Sequence, residues 1–230
     1  PVFCPLSPPL RAADGLILDG HGRRVLLRGL NVSESWKPLA TPFGDHTEED
    51  FRQWRALGFN VLRMLTSWGH LMPEEDRIDD VYLAGLRERV GWAQDNGLFV
   101  ILDMHQDLYG YGFKAGEHAL GNGAPEWSCP AAEYAKLDDP VTPWTMNHLN
   151  EGMIACYDYF WDNEARQAQY SMAFHRAIEE LQDLDHLIGV DLFNEPSWGS
   201  FDRMLSYEED SLMPLYQRML PPIREARPDL

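Results

Sequence analysis

Basic residues are scarce in this sequence: 19 lysines and arginines face 37 acidic side chains, a formal net charge of −18 over 230 residues. A surface of that sign repels phosphate backbones, and the basic residues form no block, which excludes a nucleic-acid partner. Only Lys37, Lys114 and Lys136 are lysines. Long apolar runs are missing too. No stretch reaches the roughly 18 residues of a spanning helix, and the longest candidate, 97–104, contains Asp103, so no transmembrane segment is expected. Cys4, Cys129 and Cys156 form no CxxC pair and are too few for a disulfide framework or a zinc knuckle. Cys129 and Cys156 share a loop-rich stretch and can pair, although buried free thiols are common and are the preferred reading. The redox compartment stays open.

Several catalytic signatures are also absent. The eight histidines, at 21, 46, 70, 105, 118, 148, 175 and 186, include no HExxH and no pair three or four apart, so metal-dependent hydrolysis is disfavoured and no metal or cofactor is expected. There is no GxSxG elbow, P-loop or GxGxxG after a strand, which argues against serine hydrolase, NTPase and dinucleotide chemistry. Carboxylate chemistry remains.

What is present is an ordinary globular composition, 44% hydrophobic, 12% aromatic and 24% charged, in a length that suits one large domain or two small ones. No repeat, low-complexity tract or linker marks a second domain. Residues 1–15, with Pro1, Pro5, Pro8 and Pro9, read as an irregular arm. β-branched and aliphatic runs then alternate with helical stretches, the pattern of βα units around a parallel sheet. Strands are expected at 25–31, 60–65, 98–104 and 187–193, and helices at 48–57, 81–94, 164–181 and 210–226. Asn96-Gly97 closes the second helix, and Pro221-Pro222 should kink or split the last. Residues 105–163 form an insertion too long for a structureless connector, and such insertions are usually functional. It contains Tyr109, Tyr111, Phe113, Trp127, Tyr134, Trp144, Tyr157, Tyr159, Phe160 and Trp161. Most of these should fold the insertion onto the rim, leaving one or two flat faces for a ligand.

In a parallel α/β barrel the active site lies at the carboxyl ends of the strands. Those ends are polar here: Arg28 and Asn31, then Arg63, then Asp103, His105 and Asp107, then Asp191, Asn194 and Glu195. Residues two apart share a face, so a Glu195 in the barrel mouth leaves Asp191 one layer deeper, where it needs a cation. Arg28 and Arg63 are the available ones. Arg28, Arg63, Asp103 and Asp191 are read as buried scaffold charges, and Glu195 and His105 as functional.

The motifs L-R-G-L-N at 27–31, G-F-N-V-L-R at 58–63, D-M-H-Q-D at 103–107 and L-F-N-E-P at 192–196 together resemble the (β/α)8 retaining β-glycosidases of glycoside hydrolase family 5. The finer likeness is to endoglycoceramidases and related glucosylceramidases. It rests on D-M-H-Q-D-L-Y at 103–109, G-A-P-E-W at 123–127, Y-F-W-D-N at 159–163 and Lys37. Departures at 110–121 and 128–150 bear on sugar specificity.

The resemblance implies that Glu195 is the general acid/base and that Asn194 binds the 2-hydroxyl beside the anomeric carbon. It also implies that His105 lines the same subsite, while Asp107 and Lys37 hold more remote hydroxyls. Trp144 and Trp127 are candidates for stacking on the substrate. Retention needs a second carboxylate about 5 to 5.5 Å away, and the acid must hold its proton at working pH. The family places that nucleophile after strand seven, whereas only four βα units are countable here.

The expected architecture is therefore α/β: the N-terminal half of a (β/α)8 TIM barrel, 1–230 forming part of one catalytic domain, with the remainder nicked, on another chain or omitted. A half barrel that dimerises is the alternative. The expected function is the acid/base half of an endo-β-glycosidase acting between glycan and ceramide, inactive without its other half. A cellulase-like glucanase and a non-catalytic carbohydrate-binding fragment are the alternatives. The chain begins at Pro1 without an apolar leader, so any export signal is expected to be absent or removed; secretion is expected from the resemblance alone.

Overall fold

The computed structural model describes residues 6–32, 37, 40–115, 118–136 and 143–230. Four parallel strands form its centre, β3 (Gly29–Val32), β4 (Val61–Thr66), β5 (Phe99–Met104) and β8 (Leu187–Asp191), hydrogen-bonded in that order. Between them run α1 (Glu48–Ala56), the short α2 (Trp68–Leu71), α3 (Asp80–Asp95) and α6 (Glu164–Glu180), with α7 (Met213–Ala226) after β8. Consecutive strands are neighbours, as βαβ units require. Helix starts follow local chemistry. The Thr47 N–H donates to Asp50 Oδ2 at 2.7 Å in a capping box, and Asp79 Oδ1 accepts from the N–H groups of Val81 and Tyr82.

The parallel register sorts the side chains. Asn31, Arg63, Ile101 and Gly189 form one layer of the inner face, and Leu65, Asp103 and Asp191 the next layer toward the carboxyl ends. The outer face carries Leu62, Met64, Val100, Leu102 and Met104, all buried, in one core with Phe51, Leu86, Val90, Phe174, Ile178 and Leu215. Burying each large apolar side chain contributes about 1.5–3 kcal/mol. An open cavity of about 600 Å³ lies on the inner side, lined by Ile101, Ile188 and Gly189 together with Leu10, Ala12 and Ile17 of the N-terminal arm. Among the described residues no helix is long and apolar enough to cross a membrane.

Three local expectations change. The described part of the N-terminal arm is not irregular throughout: β1 (Arg11–Ala13) and β2 (Leu16–Leu18) pair as a hairpin. Asp14 and Gly15 at its tip have φ of 52° and 72°, the left-handed pair that an Asp-Gly turn supplies. Residues 1–5 lie outside the described region. The first strand of the main sheet starts at Gly29 and not at 25. α7 runs through Pro221 and Pro222 without a break; both sit off the buried face, and Met219 and Ile223 on either side are held in the core.

The insertion is more regular than its loop-rich sequence suggests. It holds the two-residue strands β6 (Lys114–Ala115) and β7 (His118–Ala119), α4 (Ala131–Tyr134), a 3-10 stretch at Trp144–Leu149 and α5 (Glu151–Trp161). Tyr109, Tyr111, Phe113, Tyr157, Phe160 and Trp161 are buried, so most of its aromatics fold the insertion, as expected. Cys129 and Cys156 are bonded to each other across 27 residues, against the preferred reading of free thiols, because folding α5 onto the core brings Cys156 to the chain leaving Ser128. Chain-entropy arithmetic for a loop of that length gives about 3.5 kcal/mol. Replacing both cysteines by alanine is expected to lower unfolding free energy by up to about that amount in denaturant titration, and an unchanged midpoint would show the bridge to be dispensable.

Candidate active site

Arg63 projects from β4 into the layer of acids above it. Its Nη2 lies 2.6 Å from Asp191 Oδ2, 2.9 Å from Asn194 Oδ1 and 3.0 Å from Asp103 Oδ1. The last contact is an ion pair without hydrogen-bond alignment, since Asp103 Oδ1 has no aligned donor. Asp103 is fully buried, and burial pushes its carboxyl above the ordinary range against the pull of His105 and Arg63. Arg28, the other expected cation, plays no part. It precedes β3 at the amino end of the strand, away from the acids at the carboxyl ends, is exposed, and engages Asn60 Oδ1 through its backbone N–H. Asn31 pairs in register with Arg63 and is exposed.

From Asp103 a polar chain leads outward. His105 Nδ1 is 2.8 Å from Asp103 Oδ2 and its Nε2 is 3.2 Å from Asp107 Oδ2. Asp107 Oδ2 also accepts from Lys37 Nζ at 2.5 Å and Asn122 Nδ2 at 2.8 Å. Burial disfavours charge on both, but His105, Lys37 and Asn122 together hold Asp107 well below the usual carboxylate range. The two carboxylates likewise outweigh burial at His105 and raise it above its ordinary 6.5. With a carboxylate at each ring nitrogen, His105 is held as a bridge between the two acids.

The stability consequences have opposite signs. His105 contributes fully below about pH 6.5, and its contribution is lost as pH rises through its raised folded value. Asp107 contributes above about pH 4, and its contribution is lost as pH falls through its depressed one. Asp107→Asn is expected to lower the His105 titration midpoint followed by NMR; an unmoved midpoint would assign the shift to other groups.

β8 ends at Asp191 and the chain turns over the sheet top, with the Asn194 N–H donating to the Met104 carbonyl at 3.1 Å and Asn194 Nδ2 to the Gln106 carbonyl at 3.1 Å. The next residue, Glu195, is exposed and has φ of +39°, a left-handed backbone that a non-glycine residue seldom adopts. It lines a groove of about 220 Å³ with His148, Leu149, Ile154, Trp198 and Phe201. Sequence reasoning did not single out His148. Burial lowers its pKa against the pull of Glu195 and Asp107, which places it within the field of both carboxylates. No motif marks it; it reaches the groove because the 3-10 stretch packs against α5, whose Ile154 lines the same groove.

Of the two tryptophans expected to stack on substrate, Trp144 is 41% exposed, donates to the Leu120 carbonyl and meets the edge of His148 at 6.1 Å, a place on the groove rim. Trp127 is elsewhere. Its indole N–H donates to the Met72 carbonyl, its ring lies edge-on to Trp68, and Arg166 sits 5.0 Å over its face, so core packing occupies the surface a sugar would need. Among the described residues no group of three histidine, cysteine or acidic side chains is arranged to hold a metal.

A family model described as cellulase, glycosyl hydrolase family 5, matches residues 18–230. Endoglycoceramidase I of Rhodococcus hoagii is 33% identical over 190 residues, covering 82% of this chain and 37% of that protein. The solved structure of endo-glycoceramidase II from a Rhodococcus species aligns with a TM-score of 0.79 at 32% identity, over 91% of this chain and 48% of that one. A crystal structure of an endogalactoceramidase aligns with a TM-score of 0.79 at 30% identity, over 95% and 50%. The chain thus spans half or less of the length of these relatives, and its four strands correspond to that share of their TIM-barrel fold. On the family match and on this likeness, the chain belongs to glycosyl hydrolase family 5.

Proposed function

We propose that this chain carries the acid/base half of a retaining endo-β-glycosidase that cleaves the bond between glycan and ceramide in glycosphingolipids. The observation that carries this reading is the pair of chemically distinct neighbourhoods that Glu195 joins. It follows Asn194, which is linked through Arg63 and Asp103 to the polar series His105, Asp107 and Lys37, suited to sugar hydroxyls. It also lines a groove with Leu149, Ile154, Trp198 and Phe201 along its walls, suited to an apolar leaving group. Glu195 donates a proton to the departing oxygen and later withdraws one from water. Asn194, its amide oxygen held by Arg63, offers polar atoms next to the reacting carbon. Trp144 supplies an aromatic rim.

On this reading residues 1–230 are part of one catalytic domain, and the nucleophilic carboxylate and remaining strands come from polypeptide outside it or from a second chain. We place the enzyme outside the cell, where such substrates are met. The names of the relatives, endoglycoceramidases of Rhodococcus hoagii, Hydra vulgaris and Cyanea nozakii, support the substrate class. The test compares lactosylceramide with a cello-oligosaccharide as substrates of the complete enzyme. The expected result is faster release of free ceramide and intact lactose, the sugar first appearing as the β anomer. Preference for the cello-oligosaccharide would replace the reading with a glucanase.

A further inference from the structure

Gln106 lies between two residues of the polar chain, yet it points away from it. Its side chain is 4% exposed, and both ends of the amide are engaged. Nε2 donates to the carbonyls of Asn194 at 2.6 Å and Glu195 at 3.0 Å. Oε1 accepts from the Tyr109 N–H at 2.9 Å and the Tyr157 hydroxyl at 2.6 Å. The amide orientation follows from these partners, because a flipped amide would aim oxygen at two carbonyls and NH2 at an N–H. Burial pushes the Tyr157 phenol far up, so it remains a donor. Gly123 seals the seat: at φ +110° a side chain there would place its Cβ 2.2 Å from the Cβ of Gln106.

Both segments bonded by this amide are strained. Tyr109 has φ of +66° and Glu195 of +39°, and Glu195 also precedes Pro196, where extended backbone is favoured. Such conformations persist only where the surroundings over-determine them. The Asn194 carbonyl and the Glu195 carbonyl bracket the Glu195 Cα, so fixing both fixes the direction in which its side chain leaves the backbone. Tyr157 belongs to α5, next to the disulfide-bonded Cys156. We propose that Gln106, oriented by Tyr157 of the insertion, is a positioning residue that holds Glu195 in the left-handed backbone from which its carboxyl faces the leaving group. This rests on the acid/base role given to Glu195.

The role is read by leaving-group dependence. In the complete enzyme, Gln106→Leu is expected to lower kcat on a glycolipid by about 10²-fold, the scale of an ångström-level misplacement. It should lower the first turnover of a dinitrophenyl glycoside, which needs no proton, far less. Gln106→Glu should show the same split at neutral pH and recover toward acid pH, where a protonated carboxyl regains one donor. Tyr157→Phe, which removes one hydroxyl, should show the split at smaller amplitude and serves if the Gln106 variants fold poorly. Equal losses on both substrates, or none, would overturn the proposal. A crystal structure of Gln106→Leu reads it without any activity: Glu195 should leave positive φ, and an unchanged Glu195 backbone would overturn the positioning role whatever the fate of the glycosidase reading.

Discussion

Glu195→Gln in the complete enzyme is expected to lower kcat/KM on a glycolipid by about 10² to 10⁴-fold, the contribution of a positioned general acid and base. The substitution keeps shape and replaces the ionisable carboxyl by an amide, which neither protonates the leaving oxygen nor takes a proton from water. A sphingolipid alkoxide is a poor leaving group and needs that proton as the glycosidic bond breaks, whereas a dinitrophenolate departs without it. With a dinitrophenyl glycoside the variant should therefore release about one equivalent of phenolate quickly and then stall, because the second step needs a base to activate water. Azide, which needs no base, should restart turnover and give a β-glycosyl azide. Full activity of the variant on glycolipid would remove Glu195 from the acid/base role, and an α-glycosyl azide would contradict retention.

How far the sequence could be read depended on whether a feature was local. The strands at 60–65 and 98–104 and the polar residues at their carboxyl ends were legible because apolar runs with a polar terminus need no tertiary information, and β4 and β5 occupy nearly those residues. The charged core was legible as a composition and not as a pairing. Arg28 and Arg63 look equivalent in sequence, and only the register, which begins the first strand at Gly29, puts one beneath the acids and the other outside.

The Asp14-Gly15 turn was in plain sight but lay in a proline-rich arm that invited an irregular reading. Trp127 and Trp144 could not be told apart, since aromatic content says nothing about which ring the core claims. The Cys129–Cys156 bond, the approach of His148 to Glu195 and the use of Gln106 are long-range contacts, and the sequence separation of 88 and 89 residues between Gln106 and its carbonyl partners leaves no periodic signal.

Arg63→Met tests the other long-range element and is expected to destabilise the fold by about 3–5 kcal/mol, the usual cost of leaving a buried charge without its partner. One guanidinium nitrogen hydrogen-bonds Asp191 and Asn194 and neutralises Asp103, so its removal strips two acceptors and one buried counter-charge at once. The cost falls mainly on Asp103, which is fully buried, whereas Asp191 is 36% exposed and can hydrate.

The pH dependence identifies the source. Burial already raises Asp103 above its ordinary 3.8, so ionising it penalises the folded state. Below about pH 4 the carboxyl is protonated in both folded and unfolded chains, and the penalty vanishes; it grows as pH rises toward the folded value. The deficit of Arg63→Met in chemical denaturation should therefore be small near pH 4 and grow as pH rises through the raised folded value of Asp103. Adding Asp103→Asn, which keeps an acceptor for His105 without the charge, should restore most of the loss. A deficit that is independent of pH, or that the second substitution leaves in place, would assign the role of Arg63 to packing of its aliphatic stem and not to the neutralisation of the buried acid.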